Sequence, residues 1–278
     1  MKKIFITTLA VTVLLFADAQ TLTSPQVSTT QTIKQNFGLS SIELTYSRPG
    51  VKGRKIFGDL VPFGKVWRTG ANSANTITFG DTVFINDTKI NPGKYGLVSI
   101  PGERSWTLIV TKQLDVTGPD AYKQDQDVVR VEAKTMAMSE SMETFTMQFV
   151  NVKPGSCELL LVWDKTAVSL PITTNTEGKM MAQIDQLMKM DNRPYYNSAL
   201  YYMNNGKDLK QALTWLDKAI ELQPELLRNH YQRANCLNKM GRKEEAKAAA
   251  QKGIKLAKEQ KNDDFVEMNE TLLAELNK

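Results

Sequence analysis

The chain has 278 residues, with 35 Lys and Arg against 30 Asp and Glu and a formal net charge of +5. The charge is evenly spread: residues 20–172 hold 16 basic and 14 acidic side chains and residues 173–278 hold 17 and 15, so neither part has the dense positive face of a nucleic-acid binder. One histidine and two cysteines argue against a histidine-rich zinc site, a Ser-His-Asp or Cys-His catalytic set, and a disulfide framework.

The first residues read as an export signal. Lys2 and Lys3 form a positive start, Ile4 to Phe16 form an apolar stretch, and Ala17-Asp18-Ala19 supplies a small-x-small cleavage site that leaves Gln20 as the mature terminus. The apolar stretch of 13 residues is short of the roughly 20 that a membrane span needs. No cysteine follows the cleavage site, so no lipid anchor is expected. The expected location is the periplasm or the cell exterior, with no transmembrane segment in the mature chain.

From about Ser40 the pattern has period two. Ile42, Leu44 and Tyr46 alternate with Glu43, Thr45 and Ser47, as a half-buried strand requires. Similar runs follow at 76–79, 83–85, 94–100, 106–111, 128–133, 144–150, 157–163 and 167–172. Turn-forming combinations separate them, among them Asn86-Asp87, Pro101-Gly102 and Lys153-Pro154-Gly155. No helical period precedes Glu177. Roughly nine strands at this spacing predict an antiparallel sandwich or jelly roll, with Cys157 filling core space.

Residues 46–72 break the alternation. They carry Arg48, Lys52, Arg54, Lys55, Lys65 and Arg68 against the single acid Asp59, with five glycines and two prolines. Long ordered loops inside compact domains are uncommon and often functional. Tyr46, Arg48, Lys52, Arg54, Trp67, Arg68 and Asn72 are therefore the candidate ligand-binding residues. Guanidinium forks suit a carboxylate or phosphate, and aromatic faces suit sugar rings or cations. The competing reading is that the arginines brace the loop against its own backbone and acidic neighbours. GVKGRK is no Walker loop, since it lacks the GK[ST] ending and a following helix.

The stretch YSRPGVKGRKIFGDLVPFGKVWRTGAN, with the later NPGKYGLVSIPGERSWTLIV and DVVRV, closely resembles the signature of a bacterial family of exported proteins, domain of unknown function 2911. The resemblance implies a β-domain of cell-envelope or secreted proteins, often fused to helical repeats, and supplies no established substrate.

Asp115, Asp120, Asp125 and Asp127 cluster before Val128. Oxygen ligands from a loop can hold Ca²⁺, but the spacing matches no EF-hand, and a solvated acidic loop is the simpler reading. No metal and no cofactor are expected.

Residues 173–178 (TTNTEG) read as a surface linker, which divides the chain into a signal (1–19), a β-domain (20–172), the linker, and a helical domain (179–278). The helical part repeats with a period of 34: Ala212, Ala219, Ile220 and Leu222 recur as Ala246, Gly253, Ile254 and Leu256. With turn glycines Gly206 and Gly241 and small residues Ala199 and Ala234, this resembles the tetratricopeptide repeat. Met180, Ile184, Leu187 and Met188 predict a leading helix over 177–190. Phe265, Met268, Leu272 and Leu276 on one face predict a capping helix over 262–276. His230 and Cys236 sit at packing positions.

These features predict separate all-β and all-α domains. They point to an exported, non-enzymatic adaptor whose repeats engage a protein or peptide partner and whose β-domain binds an anionic or carbohydrate-like ligand. The alternative is a cell-envelope hydrolase or lyase with its site at the 48–72 loop.

Overall fold

A computed structural model describes residues 24–278, so the export signal expected at residues 1–19 lies outside the described residues. The chain divides into two compact units, with the boundary along the chain between Asn175 and Thr176.

Among the described residues the first unit has ten strands: β1 (Thr29–Phe37), β2 (Ser40–Arg48), β3 (Thr76–Phe79), β4 (Val83–Ile85), β5 (Thr88–Ile90), β6 (Gly93–Ile100), β7 (Ser105–Thr111), β8 (Asp127–Lys134), β9 (Met136–Lys153) and β10 (Ser156–Thr173). They form a six-stranded sheet in the order β1-β2-β3-β6-β7-β8 and a four-stranded sheet in the order β5-β4-β10-β9. Every strand pairing is antiparallel.

Alternation builds the core. Ile42, Leu44 and Tyr46 of β2 are buried while Glu43 is exposed. Leu97, Trp106 and Leu108 from the first sheet meet Phe145, Leu161 and Trp163 from the second, so one apolar layer joins the two. β6 and β7 are buried on both faces, because Val98 and Ile109 pack on their outer side with Val116, beneath Val66 and Tyr122.

The structure differs from the sequence reading in four places. The runs at 157–163 and 167–172 are one strand, β10, which continues through Asp164 at a φ of 49° with register shifts on either side. β9 reaches back to Met136, eight residues before the expected start at 144. Two strands, β1 and β5, have no counterpart among the expected runs: TTQTIKQNF is mostly polar and TKI is only three residues long. β1 pairs only with β2 and stays largely exposed as an edge strand. The short hairpin from β4 to β5 turns on Asn86 and Asp87, both at positive φ (47° and 60°), as a two-residue turn of this hand requires.

The second unit holds six helices: α1 (Glu177–Leu187), α2 (Tyr195–Asn204), α3 (Leu209–Leu222), α4 (Leu227–Lys239), α5 (Lys243–Glu259) and α6 (Asp263–Leu276). Ala199, Ala212, Ala234 and Ala246 are completely buried, which lets neighbouring helices approach closely. Gly206 and Gly241 take φ values of 64° and 73° in the turns after α2 and α4, where a left-handed residue ends a helix. Leu272 and Leu276 bury one face of α6, but Met268 is 39% exposed and the polar Asn269 takes a buried place instead. In α1 only Ile184 is fully buried; the expected methionine stripe is half-exposed. His230 is buried, and its Nε2–H donates to the carbonyl of Pro224 at 2.7 Å, tying α4 to the turn before it.

Cys157 and Cys236 are free, each buried in its own unit's core. Among the described residues no helix is long and apolar enough to cross a membrane.

Candidate functional site

Between β2 and β3 the chain runs from one sheet to the other. Its first leg pairs with β9: Phe145 N–H donates to Pro49 O at 2.8 Å and Val51 N–H to Glu143 O at 2.7 Å. Its second leg pairs with β6, where Trp67 and Ser99 exchange backbone bonds of 2.7 and 3.0 Å. Val51, Ile56 and Val61 are buried, and Phe57 and Trp67 pack edge-on against Trp106, with centroids at 4.8 and 5.9 Å. Apolar anchors thus hold the loop down and leave its cations outward.

The end of the loop is strained. Thr69 is β-branched yet has a φ of 59°, a conformation that bulky residues avoid and that clusters at functional sites. It is fully buried, with Oγ1 2.8 Å from Ser99 Oγ and donating to Trp67 O at 3.1 Å. Asn75 Nδ2 donates to the carbonyls of Arg68 (2.9 Å) and Thr69 (2.5 Å). Gly70 follows at a φ of 156°, where a Cβ would lie 2.8 Å from Ser47 O. Together these contacts set where Arg68 points.

The seven candidate residues separate into two groups. Tyr46 is buried; its hydroxyl accepts from Met147 N–H and lies 2.9 Å from Gln31 Oε1. Burial pushes its phenol up, against the pull of the Met147 bond. Arg48 donates from Nε to Phe145 O (3.2 Å) and from Nη2 to Thr146 Oγ1 (2.9 Å). Asn72 donates to Ser28 O at 2.8 Å. These three hold the sheets and loop together and lie outside the cleft described next.

Lys52, Arg54, Trp67 and Arg68 line one cleft of about 340 Å³ with Val61 and Trp163; its lining includes no carboxylate, and the nearby Glu143 carboxylate accepts from Lys52 N–H at 2.9 Å beside Gly50. A second trough of about 440 Å³ adjoins it, sharing Leu60, Val61, Trp67 and Arg68 and adding Pro62, Lys65, Val66, Pro119 and Asp120. Sequence reasoning misses Thr117 and Trp163, which line these cavities, and Asn75, which holds the carbonyls of Arg68 and Thr69; all three lie outside the basic loop.

The acidic quartet is dispersed. Asp127 accepts from Arg130 at 2.8 Å and from the Tyr122 hydroxyl, and Tyr122 is pushed up to about 12 by burial and then by Asp127. Asp115 accepts from Gln113 at 3.0 Å, and Asp120 faces the trough. No group of metal-ligating side chains is present among the described residues.

A family model described as "Protein of unknown function (DUF2911)" matches residues 28–172, which takes in β1 to β9 and all of β10 but its last residue. The chain belongs to that family. Tetratricopeptide repeat models match residues 193–226 and 227–260, so α2 with α3 and α4 with α5 are the two repeats of this DUF2911 protein, flanked by α1 and α6. Repeats of this kind support a general role in protein–protein interaction. No curated protein and no solved structure matches the chain.

Proposed function

We propose that this DUF2911 protein is an exported, non-enzymatic adaptor: its repeats engage a protein or peptide partner, and its β-domain binds a small anionic or acidic-sugar ligand. The observation that carries the reading is the cleft in which Lys52, Arg54 and Arg68 converge with no lining carboxylate. Clustered like charges repel one another, and a low-dielectric wall concentrates their field on an incoming anion. Trp67, which is half-buried, adds an apolar aromatic surface to that wall, backed by the buried Trp163 stacked on it. A hydrolase or lyase at the same loop would draw its acid from Asp120 in the adjoining trough.

Calorimetric titration with inorganic phosphate, citrate and glucuronate tests the ligand reading. Binding should be measurable at low salt and weaken as ionic strength rises, because the cations are partly exposed. Absence of binding by all three anions, with a neutral oligosaccharide bound instead, would overturn it. Fractionation of the native host tests export: a form beginning at Gln20 outside the cytoplasm is expected, against Met1 retained on a cytosolic protein.

A further inference from the structure

The three arginines of the loop use their guanidinium forks differently. Arg48 commits Nε and Nη2 to Phe145 O and Thr146 Oγ1. Arg54 commits the same two nitrogens to Val51 O (3.0 Å) and Gly50 O (2.6 Å). Arg68 is tied only through Nη1, to Thr117 O at 2.6 Å, and its Nε is buried without a partner. The Nε–Nη2 edge, which pairs bidentately with a carboxylate or phosphate, is therefore unclaimed in Arg68 alone. A second buried donor beside the cleft, Trp163 Nε1, also lacks an acceptor. Buried polar groups are seldom left unpaired.

Arg68 also borders both cavities. On one side stand Lys52 and Arg54. On the other lies a trough walled by Leu60, Pro62, Val66 and Pro119, with Leu60 44% exposed. Lys65 and Asp120 both border that trough, so their charges offset there, and the excess of positive charge that attracts an anion lies on the side of Lys52 and Arg54.

Accepting the cleft as an anion site, we infer that its ligand is a single-headed amphiphile: an oxyanion head on the free edge of Arg68, and an apolar body laid along Leu60, Pro62, Val66 and Pro119. A compact hydrophilic anion would leave that apolar wall in water, whereas each methylene buried there adds binding free energy.

The test is calorimetric titration of the full chain with decanoate below its micellar concentration, butyrate, decanol, decyl phosphate and inorganic phosphate. Decanoate should bind at least about tenfold more tightly than butyrate and than decanol. Comparison with decyl phosphate tells whether the head is carboxylate or phosphate. Arg68→Lys, which keeps the charge but not the fork, should weaken decanoate about tenfold, with an unchanged melting midpoint as the control for folding. Leu60→Ser should bring decanoate toward butyrate while leaving inorganic phosphate unaffected. Equal affinity for decanoate and butyrate would overturn the inference and leave the anion reading standing. Failure of every anion to bind would remove both.

Discussion

Trp67 of the loop stacks on Trp163 of β10, with ring centroids 5.7 Å apart and planes 13° from parallel. The same residue pairs through its backbone with Ser99 of β6, so it joins the two sheets. A stacked pair contributes beyond the area it buries, and here it also forms the wall of the candidate cleft.

Trp67→Ala should therefore cost about 3 kcal/mol, in the range of large-to-small aromatic substitutions. Urea denaturation reads this directly. A midpoint equal to that of the parent would mean the loop rests on the sandwich without contributing to its core.

The arginines should divide by what their forks hold. Arg48→Ala leaves the Phe145 carbonyl without this donor and should cost about 1–3 kcal/mol. Arg68→Ala removes one contact to an exposed carbonyl and should cost less than about 1 kcal/mol. If the two variants lose equal stability in the same denaturant series, Arg68 is a brace like Arg48 and the anion site loses its central residue.

Burial, helped by the neighbouring Glu158, pushes the Cys157 thiol up from 9.0 to about 11. The folded state then holds a proton that the unfolded chain releases first. Its contribution to stability is complete below pH 9.0 and is lost as pH rises through about 11. Burial raises the Cys236 thiol too. Iodoacetamide near neutral pH should label both thiols slowly in the native protein and quickly in denaturant; rapid native labelling would contradict their burial. Glu158 behaves oppositely: bonds from Ser169 and Asn151 hold its carboxyl below 4.5, so its contribution is present above that pH and fades as pH falls further.

In α5, Gly253 faces Asn269 of α6, and a Cβ there would lie 2.6 Å from Asn269 Oδ1. Helix propensity favours Gly253→Ala by about 1 kcal/mol, while overpacking a closed contact costs about 1–3 kcal/mol. Net destabilisation of about 1 kcal/mol is expected. Because the clash is specific, the Gly253→Ala, Asn269→Ala double variant should be more stable than the sum of the single effects implies; simple additivity would place the cause elsewhere.

A fragment of residues 20–175 should fold by itself, with β-type circular dichroism and a cooperative melt. The strand β10 ends at Thr173, and Thr174 still bonds to Gly155 and Thr82, so cutting before it would fray that edge. Aggregation rescued only by the helical half would show that the two cores depend on each other.

Periodicity carried the parts of this protein that the sequence alone determined. The alternation of Ile42, Leu44 and Tyr46, the paired alanines and the turn glycines Gly206 and Gly241 are local patterns, and local geometry dictates them whatever lies beyond. The polar β1 was not legible, because an edge strand needs no apolar alternation to pair. Nor was the unity of β10, since Asp164 looks like a turn until a partner strand bulges with it. The placing of Asn269 rather than Met268 against α5 depended on the close approach at Gly253. The roles of the arginines were the least legible of all. Arg48, Arg54 and Arg68 are the same side chain in one basic loop, and only the tertiary structure decides which forks meet carbonyls. Hydrogen-bond partners nearly a hundred residues away in β9 occupy Arg48, the loop's own backbone occupies Arg54, and the strained turn at Thr69 leaves one edge of Arg68 unpaired.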